Sequence, residues 1–324
     1  MQTDLTLAPL EGVIDHLVRD LLTGLGGYDL CITEFLRVSN TLMPERSFYK
    51  VCPELRHGGV TRAGTPLRIQ LLGQCPDRLS ENANRAIELG SNGIDLNLGC
   101  PSKTVNNNKG GAILLKEPQT IYHLVKTMRS NLAHDDVFSV KIRLGWDDEN
   151  AVHEISDAIV QGGADELTIH ARTKVDGYKQ DAIKWPKIGE VKVKDQIALR
   201  ANGEIWSKED ALACQAITGC SSLMIGRGAL AMPNLAAVIK GLQAPMTYPQ
   251  LLSLLTDYST FEIEGDKGKY YPNRMKQWLT YLRRQYPQAN QLFAQIRTLK
   301  ETNQVVEVIE SEAAKLGICT SQVV

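Results

Sequence analysis

The chain has 324 residues, 43% of them hydrophobic and 23% charged, with a formal net charge of −1. This composition excludes the disordered and fibrous classes, and the length suits one large domain with a smaller one, since single cores stop growing near roughly 250–300 residues. No stretch approaches the roughly 20 uninterrupted apolar residues of a membrane helix, and the start MQTDLTLAPLEG lacks a basic region ahead of an apolar run, so a cytoplasmic protein with no membrane attachment is expected.

Short apolar runs separated by amphipathic stretches predict βα units around a parallel sheet. In chain order the predicted strands are LTLAPL (5–10), LCITEF (30–35), LRIQLLG (67–73), GIDLNLG (93–99), FSVKIRLG (138–145), ELTIHAR (166–172), IALRANG (197–203) and SLMIGRG (222–228). Their nearly continuous apolar character fits strands buried on both faces. Among the helices between them, one is expected to be capped by Asp77 and to stop at Gly90, and another to be capped by Ser207. Two connections are long, Arg37 to Gly64 and Cys100 to Glu117. Loops at these strand ends are where barrels place their chemistry.

After Gly241 the alternation stops, and spacing such as Leu251/Leu254/Leu255/Tyr258 and Met275/Trp278/Leu279/Leu282 predicts helices alone. The expected fold is α/β, a (β/α)8 TIM barrel over residues 1–243 followed by a smaller all-helical domain over 244–324. Pro245 and Pro249 break helix continuity in the linker GLQAPMTYP. The seven cysteines are scattered with no CxxC pair, so neither a disulfide framework nor a metal site is indicated.

The strand ends carry Pro9-Leu10-Glu11-Gly12, Glu34, Gln70, Asn97 with Cys100, Lys141 with Arg143, His170 with Arg172, Asn202-Gly203 and Gly226-Arg227. Gly203, Gly226 and Gly228 with Arg227 resemble a phosphate cradle at the loops after strands seven and eight, where barrels often bind phosphate. Lys141 alternates with Val140 and Ile142, so its side chain points inward with that of Arg143. It would tune an anionic cofactor bound there, or else pair structurally with Glu34 or Asp95. His170 suits donation to a phosphate or a substrate carbonyl, and also the role of a satisfied core histidine. Cys100, fixed by Pro101, reads as a nucleophile, a proton donor or a small buried hydrophobe.

Net charge conceals one patch, because Lys267, Lys269, Arg274, Lys276, Arg283, Arg284, Arg297 and Lys300 follow one another with no Asp or Glu among them. On a helix Arg274, Gln277, Tyr281 and Arg284 share a face, and Met275, Trp278 and Leu282 lie on another. A basic face interleaved with tyrosine suits RNA.

The strings APLEG, QLLG, NLGCPS, VKIRLGW, TIHART, ANGEI and MIGRG occur in the order in which the tRNA-dihydrouridine synthase family carries them, and the chain resembles that family from Pro9 to Arg227 and again in its helical tail. TEFLR, ending at Arg37, and RMKQWLTYLR resemble the C subfamily, which acts on position 16 of the tRNA D-loop. Leu10 and Leu98 stand where the family often has Met and Cys, and both stay apolar.

The resemblance implies FMN contacts from Pro9, Leu10, Glu11, Gln70, Lys141, His170, Asn202, Gly203, Glu204, Gly226 and Arg227. It makes Cys100 the general acid and lays Asn97 against a flipped uracil. The basic helix face, unless it is merely a solvated one, then predicts tRNA contacts from Arg274, Lys276, Gln277, Tyr281 and Arg284, with Arg37 a further candidate. NADPH is then the transient reductant, consistent with the lack of a GxGxxG turn between strand and helix. A monomer with no metal is expected. The rivals are an FMN barrel acting on a free pyrimidine, which has no use for a basic tail, and a flavin-free tRNA-binding protein.

Overall fold

A computed structural model describes residues 3–266 and 268–318, so Lys267 of the basic run and Cys319 lie outside the described residues. The eight strands are β1 (Asp4–Leu7), β2 (Leu30–Arg37), β3 (Leu67–Leu72), β4 (Ile94–Asn97), β5 (Phe138–Arg143), β6 (Glu166–His170), β7 (Ala198–Asn202) and β8 (Ser222–Ile225). They pair in parallel in sequence order, and β1 closes the barrel against β8. Strand β1 ends before Pro9, which has no N–H to give a ladder.

Outside an irregularity in β2, side chains alternate across this wall. Ile69, Leu71, Ile94, Leu96, Val140, Ile142, Leu167 and Ile169 are fully buried and apolar, as expected of the face that packs against helices. Positions of the opposite parity face inward and are mostly polar yet largely buried, so the strands are buried on both faces as expected, with the apolar character confined to the outer one. At the N-terminal end of the barrel, Glu166 pairs with Arg68 at 2.7 Å and Arg200 at 3.2 Å, and Arg200 reaches Asp4 at 3.3 Å. This ion-pair plug closes one end, and the inward polar residues above it are left for the other.

The helix Lys208–Thr218 begins with a complete capping box between Ser207 and Asp210 and ends at Gly219, whose φ of 72° only glycine adopts readily. Asp77 is not a cap: the helix Pro76–Glu88 takes Cys75 at that position and places Asp77 in its first turn. There its charge still complements the helix dipole. Pro249 likewise stands inside the first turn of Tyr248–Asp266, where a missing N–H costs nothing.

Beyond the barrel the described residues form the helices Tyr248–Asp266, Tyr271–Leu282, Ala289–Ile296 and Thr302–Lys315. Met275, Trp278, Leu279 and Leu282 are buried in a cluster that continues into the barrel's own core. Trp278 packs edge-on against Tyr258 with centroids 5.0 Å apart and donates from Nε1 to Leu230 O at 3.0 Å.

Candidate active site

The C-terminal strand ends surround one cavity. Pro9, Leu10 and Glu11 enter it after β1, Gln70 comes from β3, Asn97 from β4, and Cys100 from the loop that follows. Lys141, His170, Asn202, Gly203, Glu204, Gly226 and Arg227 complete the wall from β5 to β8. Glu34 and Phe35 both line it although adjacent in sequence, because β2 shifts register against β3 between Ile32 and Phe35. Two further lining residues, Tyr178 and Trp206, escaped the sequence reading. The one signal for either was an aromatic residue in a connection that follows a barrel strand. Among the described residues no group of three or more His, Cys, Asp or Glu could hold a metal, and no helix is long and apolar enough to cross a membrane.

The loop carrying Cys100 is held from several sides. Asn97 Oδ1 accepts from the N–H groups of Gly99 and Cys100, each at 3.0 Å. Cys100 O accepts from Ala112 N and from Asn106 Nδ2, both at 3.1 Å. A Cβ at Gly111, where φ is +68°, would lie 3.0 Å from Cys100 O, so glycine is what lets that turn close. Burial pushes the Cys100 thiol above its ordinary range, against a backbone N–H of Ser102 and the cations Arg143 and Lys141. A thiol raised in this way is neutral near pH 7, which suits proton donation better than nucleophilic attack.

Burial, then the neighbouring Arg143, lowers the Lys141 ammonium to about 8, with Asp95 opposing. Lys141 forms no ion pair among the described residues, so the structural pairing with Glu34 or Asp95 is not made and its charge faces the cavity. Arg143 is clamped by the carbonyls of Gly99 at 2.9 Å and of Thr173 and Gly177 at 3.1 Å. Glu34 is pushed up to about 7, chiefly by burial, while accepting from Gly12 N.

Asn202 donates from Nδ2 to Met224 O at 2.8 Å, which leaves its Oδ1 to face His170 Nδ1 at 2.9 Å. His170 therefore carries its proton on Nδ1. Burial and the nearby cations Arg143 and Lys141 hold its pKa well below the ordinary value, so Nε2 is a lone-pair acceptor, and it is buried with no partner. This reverses the expectation that His170 donates to a phosphate: in the neutral ring it accepts.

Glu204 adopts a left-handed backbone, φ 55°, unusual for a side chain with a Cβ. Its carboxylate pairs with the fully buried Arg172 at 2.9 Å, pairs with Arg227, and accepts from Trp206 Nε1 at 2.7 Å. Arg172 is thus a buried support of the wall. Cations and rings then alternate along the lip. Arg143 and Arg227 lie 5.2 and 5.0 Å from the Tyr178 centroid, and Arg227 and Arg284 lie 5.2 and 3.9 Å from that of Trp206.

The row expected on the helix Tyr271–Leu282 is split. Arg274 turns inward, pairing with the fully buried Glu262 and, at 2.7 Å, with Asp15 of the barrel. Lys276 donates to Leu299 O. Tyr281 is half-buried and close enough to Arg227 and Tyr178 for their charges to act on it, and Arg284, just beyond the helix, stacks on Trp206. Gln277 is partly buried on the same helix, and Arg37 lines a separate recess with Asn40, Gln74 and Asn108.

Comparison with known proteins agrees with this picture. The sequence model of a family described as Dihydrouridine synthase (Dus) matches residues 6–317. A protein of Vibrio cholerae named tRNA-dihydrouridine(16) synthase is 53% identical over 301 residues, 93% of each chain. One of the same name from Escherichia coli K12 is 50% identical over 305 residues, 94% of this chain and 97% of the other. Among solved structures, the DHODH of Eimeria tenella superposes with a TM-score of 0.54 at 14% identity, covering 80% of this chain and 83% of that one. A variant of NCR from Zymomonas mobilis gives 0.52, also at 14%, over 75% and 88%. At such identity these two speak for the fold alone.

Proposed function

Because the chain belongs to the dihydrouridine synthase family, we propose that it reduces the C5–C6 double bond of a uridine at position 16 of tRNA, using FMN held in the barrel mouth and NADPH as reductant. The observation that carries this reading is the convergence of Cys100, Lys141 and the unpartnered His170 Nε2 on one cavity.

The residues present fit FMN. Glycines narrow the floor: a Cβ at Gly203 would fall 2.9 Å from Ile183 and 3.2 Å from His170 Cε1. His170 Nε2 is a ready acceptor for a hydroxyl of a ribityl chain. Arg172 and Arg227 share one carboxylate, Glu204, so the end near β7 and β8 keeps an excess positive charge for a phosphate. Lys141, and Gln70 with the Pro9–Glu11 turn, would face the ring, where a cation favours an anionic reduced flavin.

When bound and reduced, FMN supplies the hydride that adds to C6 of the uracil. The chain's own chemistry is the other half of the addition. The Cys100 S–H gives its proton to C5, and the thiolate left behind is stabilised by Arg143 and Lys141 until solvent returns a proton. Asn97 closes the same side of the cavity and orders the loop on which the thiol sits.

A uridine in folded tRNA reaches such a cavity only when turned out of its stack, at a few kcal/mol. The residues 244–324 are the tRNA-binding domain in this reading, and Tyr281 and Arg284 join Tyr178, Arg227 and Trp206 as the guiding lip. Alternating cations and rings fit an unstacked strand. Arg284→Ala is expected to weaken tRNA binding and reduce the slope of log K against log salt by about 1, with flavin absorbance retained. An unchanged salt slope in a filter-binding titration would remove Arg284 from the interface.

A further inference from the structure

An amide side chain orders a loop only if its oxygen points the right way, and nothing within Asn97 decides that. The decision is made two hydrogen bonds away. Asn97 Nδ2 donates to Gln70 Oε1 at 2.7 Å, Gln70 Nε2 donates to Asp95 Oδ2 at 2.7 Å, and Asp95 Oδ1 accepts from Ser139 Oγ at 2.6 Å. Gln70, Asp95 and Ser139 are lateral neighbours in the strand registers of β3, β4 and β5, and all three are at most 1% exposed.

An ionised carboxylate accepts hydrogen bonds and donates none. Burial raises the Asp95 carboxyl, but the hydrogen bonds from Ser139 and Gln70 and the charges of Arg68 and Lys141 oppose it, and both of its oxygens accept. Asp95 therefore forces Gln70 to present its nitrogen, which turns Oε1 toward Asn97, which in turn presents Nδ2 and leaves Oδ1 for the N–H groups of Gly99 and Cys100. Without that fixed acceptor both amides can turn over together. Asn97 would then set a donor against two donors, and the cap on the Cys100 loop would be lost. We propose that Asp95, which does not reach the reacting atoms, is a positioning residue for Cys100, acting through the polarity it imposes on Gln70 and Asn97. This rests on Cys100 being the proton donor.

The test separates the two half-reactions of the flavin-loaded protein by stopped-flow absorbance. In Asp95→Leu, which fills the space and removes the acceptor, the protein should still bind flavin and be reduced by NADPH with only a slight change, the one expected from Gln70 also facing the ring. Reoxidation by tRNA should slow about 100-fold, the scale of a misplaced catalytic group, with KM for tRNA unchanged. Asp95→Asn, whose amide can present nitrogen as readily as oxygen, no longer fixes the direction and should slow reoxidation too, by less than the leucine variant does. Asp95→Ser, smaller and with a hydroxyl that imposes no direction, should show the same slow reoxidation and serves if the leucine variant does not fold. Wild-type reoxidation in either folded variant overturns the proposal, as does an equal loss in flavin reduction or occupancy, which would place Asp95 at the cofactor through Lys141. If tRNA fails to reoxidise the wild-type flavin, the reading of the site itself falls, and this inference with it.

Discussion

Cys100→Ala should keep its flavin and its reduction by NADPH but lose dihydrouridine formation by about 10²–10⁴-fold, the range that a positioned general acid contributes. The size of the loss follows from where the proton sits. Burial raises the Cys100 thiol above the ordinary cysteine value, so the proton is present at neutral pH and leaves only as C5 accepts it. The sign for pH is then fixed. The acid is fully available below its raised pKa, and turnover falls as pH rises through it, later than a free cysteine would dictate. Dihydrouridine counted by mass spectrometry of digested tRNA reads both effects, and undiminished product from the alanine variant would take Cys100 out of the acid role.

Arg274→Ala is expected to act on folding more than on RNA. Its guanidinium balances Glu262, which is 0% exposed and also accepts from Tyr258 Oη at 2.6 Å. Removing the cation leaves that carboxylate buried and uncompensated, a loss of about 3–5 kcal/mol for a buried pair deprived of one partner. The same guanidinium holds Asp15, whose other oxygen caps the helix His16–Gly24, so the barrel and the helical tail loosen together. A urea titration should show a clearly lower midpoint for this variant, while Arg284→Ala, an exposed position, stays within about 0.5 kcal/mol of wild type. An unaltered midpoint with weakened tRNA affinity would return Arg274 to the RNA face on which its helical spacing first put it.

The contrast between those two arginines shows where the sequence was legible. Strand positions, and the cluster of polar groups at strand ends, follow from periodicity and from the barrel's geometry, so the sequence alone assigns Gln70, Asn97, Lys141, His170 and Asn202 to the one cavity they line. Helical spacing puts Arg274 and Arg284 on one face, but the helix stops at Leu282, and which way a face turns depends on partners far along the chain. Glu262 lies on a neighbouring helix and Asp15 in the barrel, and no local pattern joins them to Arg274. The same limit hid Tyr178 and Trp206, since an aromatic in a loop declares nothing until cations are found on both of its sides.

His170 is the finer case. Its place at the end of β6 was readable, and its role as acceptor was not, because that role is set by Asn202, which is itself set by Met224 O. Hydrogen-bond direction passes through pairs that only the fold brings together. Asp95, Gln70 and Asn97 obey the same logic.

A cavity that reduces one uridine of tRNA, delivered by the helical tail, should act on the folded nucleic acid and not on the free nucleoside. The most direct measurement incubates flavin-loaded protein and NADPH with tRNA from cells lacking dihydrouridine, then maps the modified base, with free uridine as a parallel substrate. Conversion confined to position 16 of the D-loop, with free uridine left unreduced, is the predicted result. Equal reduction of the free nucleoside, or flavin that tRNA does not reoxidise, would contradict it.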